Sequence, residues 1–169
     1  MKNFLLGMLV ALSAWAGATH VEAAPLPNPT SKPILTVSGK IASTNKGETA
    51  EFDREMLESL GMVSFETETP WYNGKVKFEG VPLSKLMQHL GAKGEHLLVV
   101  ALNDYSSDIP MADVMKYNVL LALKINGEYM PVKDKGPLFI VYPFDSDPEL
   151  KNQTYFGRSV WQIAKIVVK

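Results

Sequence analysis

The residues able to do chemistry fall in four short stretches, all read as loops or strand ends. Trp71 and Tyr72 stand together in a turn-rich run, Thr69-Pro70-Trp71-Tyr72-Asn73-Gly74. Asn103, Asp104 and Tyr105 follow an apolar run, Leu97 to Leu102. Asp134 and Lys135 precede another apolar run, and Tyr155, Arg158, Ser159 and Trp161 precede or open the last one. Flat rings in loops can sandwich a planar heterocycle. A carboxylate such as Asp104 can accept two parallel N–H bonds from an amino-pyrimidine edge, with Asn103 and Tyr105 in support. Arg158, Ser159 and Lys135 suit the tail or rim of such a ligand. Each stretch also has a plainer reading. Asn103-Asp104 equally suits an Asx-type turn at a strand end. Trp161 equally suits a core position in an alternating strand, whereas turn residues on both sides of Trp71 make a core role harder to see.

No catalytic set accompanies these residues. His20 falls in an amino-terminal leader. His89 ends an amphipathic helix, where a cation suits the helix dipole. His96 opens the apolar run before Asn103. Two separated histidines without matching carboxylates argue against a metal site. The serines lie in no nucleophile-elbow pattern. The chain contains no cysteine, which excludes a thiol nucleophile and a thiolate metal ligand. Seventeen Lys and Arg against eighteen Asp and Glu leave no basic excess for nucleic acid. Only two of the cations are arginines, Arg54 and Arg158.

Positioning these residues requires a folded domain, and the chain reads as one α+β domain, strand-rich with short helices, over residues 34–169. Residues 1–23 read as a cleavable secretory signal: a basic start, an apolar stretch from Phe4 to Ala18, and Val21-Glu22-Ala23 as the cleavage site. The apolar run is shorter than the roughly 20 residues that span a bilayer, so no membrane insertion is expected after cleavage. The expected location is the periplasm. Residues 24–33, with four prolines, read as an extended leader with little fixed structure. Without disulfides, the core must hold the domain together.

Strands are expected over Ile34–Ile41, Thr49–Phe52, Met62–Thr67, Lys75–Phe78, Leu97–Leu102, Val119–Ile125, Glu128–Val132, Leu138–Tyr142 and Val160–Val168. The unbroken run Leu97–Leu102 suggests a strand buried on both faces. Asp53 caps a short helix that stops at Gly61. Leu83, Leu86, Met87 and Leu90 give a second helix the i, i+3, i+4, i+7 pattern. A turn or two of helix from Pro110 to Lys116 should face Met111, Val114 and Met115 inward. Asn126-Gly127 marks a tight hairpin. Phe144–Gly157 reads as a long polar loop with a turn at Pro148-Glu149-Leu150.

The order of motifs resembles a known family. Trp71 to Leu86 (W-x-x-G-x-x-x-F-x-G-V-P-L-x-x-L), Asn103-Asp104-Tyr105 with Ile109-Pro110, and Leu121-Ala122 with Asn126-Gly127-Glu128 form the first part of a collinear set. Gly136 to Pro143 (G-P-L-F-I-V-Y-P) and Ser159-Val160-Trp161-Gln162-Ile163 complete it. The set is similar to the molybdopterin-binding fold of sulfite oxidases and related exported oxidoreductases. That resemblance implies a mixed α+β fold with a pterin pocket at the strand ends. Those enzymes hold molybdenum through a cysteine thiolate upstream of the Trp-containing loop. Here Thr67 stands roughly at that place, and the arginines that surround an anionic cofactor are missing. The chain therefore looks closer to small periplasmic pterin-binding regulators of this fold. These imply a plain pterin as ligand, no molybdenum cofactor and no metal. They also imply as partner the periplasmic region of a membrane diguanylate cyclase or phosphodiesterase, which acts on cyclic-di-GMP. The expectation is a non-catalytic protein that reports pterin occupancy. The alternative is an exported molybdopterin-dependent oxidoreductase, or a subunit of one.

Overall fold

Alternating apolar and polar residues lay the chain out as two five-stranded sheets, seen in a computed structural model that describes residues 25–169. The expected signal peptide and its expected cleavage site lie outside the described residues. The chain runs β1 (Leu35–Gly39), β2 (Ala50–Phe52), α1 (Arg54–Ser59), β3 (Val63–Glu68), β4 (Lys75–Pro82) and α2 (Leu83–His89). It continues β5 (His96–Ala101), β6 (Ser106–Pro110), α3 (Met111–Lys116), β7 (Leu120–Ile125), β8 (Glu128–Tyr129), β9 (Phe139–Val141), α4 (Gln153–Arg158) and β10 (Ile163–Val168). One sheet has the order β2-β1-β10-β5-β6. The other has β3-β4-β7-β8, with β9 also paired to β7. The pairing of β1 with β10 is parallel, and the others between these strands are antiparallel.

The core is aliphatic and aromatic. Phe52, Phe78, Phe139, Tyr142 and Phe144 are fully buried, with Leu35, Leu57, Leu83, Leu86 and Leu97. Each such side chain contributes about 1.5–3 kcal/mol by leaving water. Asp53 caps α1 as its sequence position implies: its carboxylate accepts the Met56 N–H at 2.9 Å. Gly80 sits at a bulge in the pairing of β4 with β7. A Cβ there would run into the Leu121 carbonyl, so β7 can lie this close only against a glycine.

Several expectations need correcting. Residues 25–33 have no regular secondary structure, but they are fastened down. Leu26 is buried, and Thr30 and Ser31 donate their backbone N–H groups to the Asp53 carboxylate at 2.7 and 3.0 Å. β5 is not buried on both faces. Leu97, Val99 and Ala101 face the core, Leu98 and Val100 are half-buried, and Leu102 is exposed. Ser106–Pro110 forms an edge strand that its polar residues conceal, because β5 supplies its hydrogen-bond partners. Met115 points outward and is exposed. Phe144–Gly157 is no polar loop: Phe144, Leu150 and Tyr155 are buried, and α4 occupies its end. No described helix is long and apolar enough to cross a membrane.

Candidate functional site

The end of β5 turns through Leu102–Tyr105 into β6, and this turn forms one wall of a cavity. Asn103 makes the Asx turn, its Oδ1 accepting the Tyr105 N–H at 3.2 Å. Asp104 takes the left-handed conformation, φ 64°, with its N–H donated to the Ala101 carbonyl at 3.1 Å. Short polar residues tolerate that conformation better than most.

The second wall is α4 and the segment after it. Asn152 caps α4, its side chain accepting the Thr154 N–H at 2.8 Å. The helix presents Gln153, Phe156 and Gly157, and Ser159, Val160 and Trp161 follow. The Val160 carbonyl accepts the Ile140 N–H at 2.8 Å, and Trp161 forms a β-bridge with Phe139. This segment is thereby laid against β9. Tyr105 spans the two walls, donating its hydroxyl to the Gly157 carbonyl at 3.1 Å.

The floor is aromatic. Trp71, from the β3–β4 loop, meets Phe139 and Trp161 edge to face, each with ring centroids 5.5 Å apart. It meets Phe144 at 6.1 Å and Phe156 at 6.2 Å in the same way. Such pairs add about 0.5–1.5 kcal/mol each beyond burial. The cavity holds about 370 Å³, within the roughly 300–1,000 Å³ of small-molecule sites. Its polar lining is Asn103, Tyr105, Gln153 and Ser159.

Of the residues singled out in the sequence, Trp71, Asn103, Tyr105, Ser159 and Trp161 come together here. Asp104, Lys135 and Arg158 do not line the cavity. Asp104 is spent on the turn and faces solvent. The Lys135 ammonium lies 4.9 Å from the Tyr72 ring centroid and 5.7 Å from that of Trp161. Arg158 Nη1 donates to Asp113 Oδ2 at 2.7 Å, and the same oxygen accepts the Tyr142 hydroxyl at 2.9 Å. Burial pushes the Tyr142 phenol far up, and the Asp113 charge adds to that. The Tyr155 phenol is pushed up to about 12, first by its hydrogen bond to Tyr117 and then by burial. Burial, then the Asp134 charge, pushes the Tyr72 phenol up to about 12.

Gln153, Phe156 and Gly157 escaped sequence reading because the helix carrying them is six residues long. Asn152 as a cap ahead of Tyr155 and Phe156 was the available signal.

A molybdenum cofactor of the resembled enzymes needs a metal ligand and a counter-charge for its phosphate. The lining has carboxamides, hydroxyls and rings, but no carboxylate, imidazole, guanidinium or ammonium among the described residues. The chain has no thiol. Thr67 is fully buried, and its hydroxyl is engaged twice: it accepts the Asp145 N–H at 3.1 Å and donates to the Glu68 carbonyl at 3.3 Å. It is not part of the lining. The donor set fits a flat uncharged ring and does not fit a metal dithiolene with a phosphate.

A family model described as the oxidoreductase molybdopterin binding domain matches residues 42–146. The match takes in Trp71 and Asn103–Tyr105 and stops short of α4 and Trp161. Comparison with curated proteins finds no match. Among solved structures, the crystal structure of the sulfane dehydrogenase SoxCD from Paracoccus pantotrophus aligns with a TM-score of 0.58 at 20% identity. The alignment covers 79% of this chain and 37% of that one, and it shows a shared fold.

Proposed function

Because the chain belongs to the oxidoreductase molybdopterin-binding domain family, we propose that the cavity floored by Trp71 and Trp161 binds a pterin ring, and that this chain supplies no ligand to molybdenum. One observation carries the reading. The lining pairs indole and phenyl surfaces with neutral carboxamides and hydroxyls, and contains no ionised group. A pterin is flat, nitrogen-rich and edged with amide-like donors and acceptors, which Asn103 and Gln153 can match as carboxamides. Ring contact with a few hydrogen bonds suits micromolar binding, about −8 kcal/mol.

The finer proposal is that the protein works in the periplasm without catalysis. It would report pterin occupancy to the periplasmic region of a membrane protein that makes or degrades cyclic-di-GMP. Such a reporter must bind its partner differently with and without pterin. The second reading is an exported molybdopterin-dependent oxidoreductase, or a subunit of one. The family match and the SoxCD likeness favour that reading over the signalling role. The lining chemistry favours a metal-free pterin site.

Protein exported from molybdate-supplied cells separates the readings. Its metal content is measured by mass spectrometry, and its tryptophan fluorescence is titrated with 6-hydroxymethylpterin. The expected result is quenching that saturates in the micromolar range, with molybdenum well below one atom per chain. Stoichiometric molybdenum establishes the oxidoreductase reading instead. Absence of both quenching and molybdenum removes the pterin site.

A further inference from the structure

Arg158 is the sole arginine near the cavity, yet its guanidinium turns away from the lining to Asp113. Asp113 is 9% exposed, and one of its oxygens binds both Arg158 and the buried Tyr142 hydroxyl. Asp113 belongs to α3, Tyr142 follows β9, and Arg158 is the last residue of α4. One carboxylate oxygen therefore ties three separate parts of the chain together. The tie falls between Gly157 and Ser159, which both line the cavity. Beyond it, the Ser159 hydroxyl donates to the Tyr155 carbonyl at 3.0 Å and is 2% exposed. On the other side, Tyr105 holds the Gly157 carbonyl. More than half of the lining lies in this one stretch, Gln153–Trp161.

We propose that Arg158 and Asp113 are positioning residues. Their ion pair fixes the α4 wall at the separation from the β5–β6 turn that a flat ring needs, and Arg158 makes no contact with the ligand's tail. The inference rests on the pterin-site reading and assigns that site its support. Three features make the pair suited to this work. Arg158 has a rigid planar fork, which Lys lacks. Both side chains are mostly sheltered, 23% and 12% exposed, so water screens the pair weakly. A six-residue helix has little stability of its own and takes its place from such contacts.

The test is a fluorescence titration of wild type, Arg158→Lys, Arg158→Gln and Asp113→Asn with two probes. 6-Hydroxymethylpterin has a neutral tail, and pterin-6-carboxylate has an anionic one. Circular dichroism of each ligand-free variant confirms that it is folded at the titration temperature. Arg158→Gln is expected to weaken both probes by the same factor, about tenfold, the scale of coupling within a shared network. Arg158→Lys, which keeps the charge, should recover part of the loss. Asp113→Asn should match Arg158→Gln, and the double variant should lose no more than either. Loss confined to pterin-6-carboxylate overturns the proposal and makes Arg158 a tail contact. Unchanged affinity for both probes in folded Arg158→Gln overturns it as well. Wild type that binds neither probe removes the pterin site itself, an outcome distinct from both. If Arg158→Gln does not fold, the Lys and Asn variants decide by the same comparison.

Discussion

The indole of Trp71 is at once floor and brace. It lines the cavity and also packs against four other rings, Phe139, Phe144, Phe156 and Trp161. Trp71→Ala is therefore expected to do two things. It should lower stability by about 3 kcal/mol, read from urea denaturation, because a large ring is removed without replacement. It should also abolish the quenching of Trp161 fluorescence by pterin. Asp104 makes the opposite prediction. Its carboxylate was the sequence's best match to a pyrimidine edge, yet its backbone is what the fold uses. Asp104→Ala should leave the pterin dissociation constant within about twofold of wild type, since a solvent-facing charge outside the lining contributes little. Composition could show that an amide, a carboxylate and a phenol arrive together. It could not show which of the three the turn consumes. The same ambiguity affected Arg158, because the sequence does not reveal Asp113 as its partner.

Asp53 shows how one cap organises a larger unit. Its carboxylate binds the Met56, Thr30 and Ser31 backbone N–H groups, so it caps α1 and fastens the Pro-rich leader. Those bonds hold its carboxyl at about 2, below the ordinary 3.8. A depressed carboxyl stabilises the fold fully above 3.8 and loses that contribution as pH falls from 3.8 through about 2. Asp53→Asn should flatten the pH dependence of stability in that window, measured by thermal melts from pH 5 to about pH 2. Asp53→Ala should cost about 1–2 kcal/mol at neutral pH, with the cap lost outright. Gly80→Ala should be more damaging than an ordinary glycine replacement, since its Cβ meets the β7 backbone rather than a movable side chain. A fall in melting temperature of several degrees is expected. Helices and hairpins with local signals were legible. The Asp53 cap, the heptad-like spacing in α2 and the Asn126-Gly127 turn all stand where sequence places them. β6 and α4 were not legible, because neither holds itself together. β6 takes its hydrogen bonds from β5, and α4 is held by ring packing and the Arg158–Asp113 pair.

The molecule as a whole shares its fold with SoxCD, of whose chain the alignment covers 37%, and carries a cavity whose lining is neutral. The collinear motifs pointed to that α+β fold, and the family match and the shared architecture agree. The lining residues Trp71, Asn103, Tyr105, Ser159 and Trp161 stand in those motifs. How they meet is spatial. Gln153–Trp161 is held beside the β5 turn by the Trp161 bridge to β9, the Tyr105 bond to Gly157 and the Arg158–Asp113 pair. A thiol-free chain with a neutral cavity should hold its ligand through ring surface and carboxamide edges. Its affinity should then vary little with salt, since no exposed charge pair takes part. The most direct measurement is a crystal structure of the protein grown with 6-hydroxymethylpterin. The account predicts the bicyclic ring against Trp71 and Trp161, its polar edge on Asn103 and Gln153, and no metal within bonding distance. A ring bound elsewhere on the surface, or joined to molybdenum in this cavity, would contradict it.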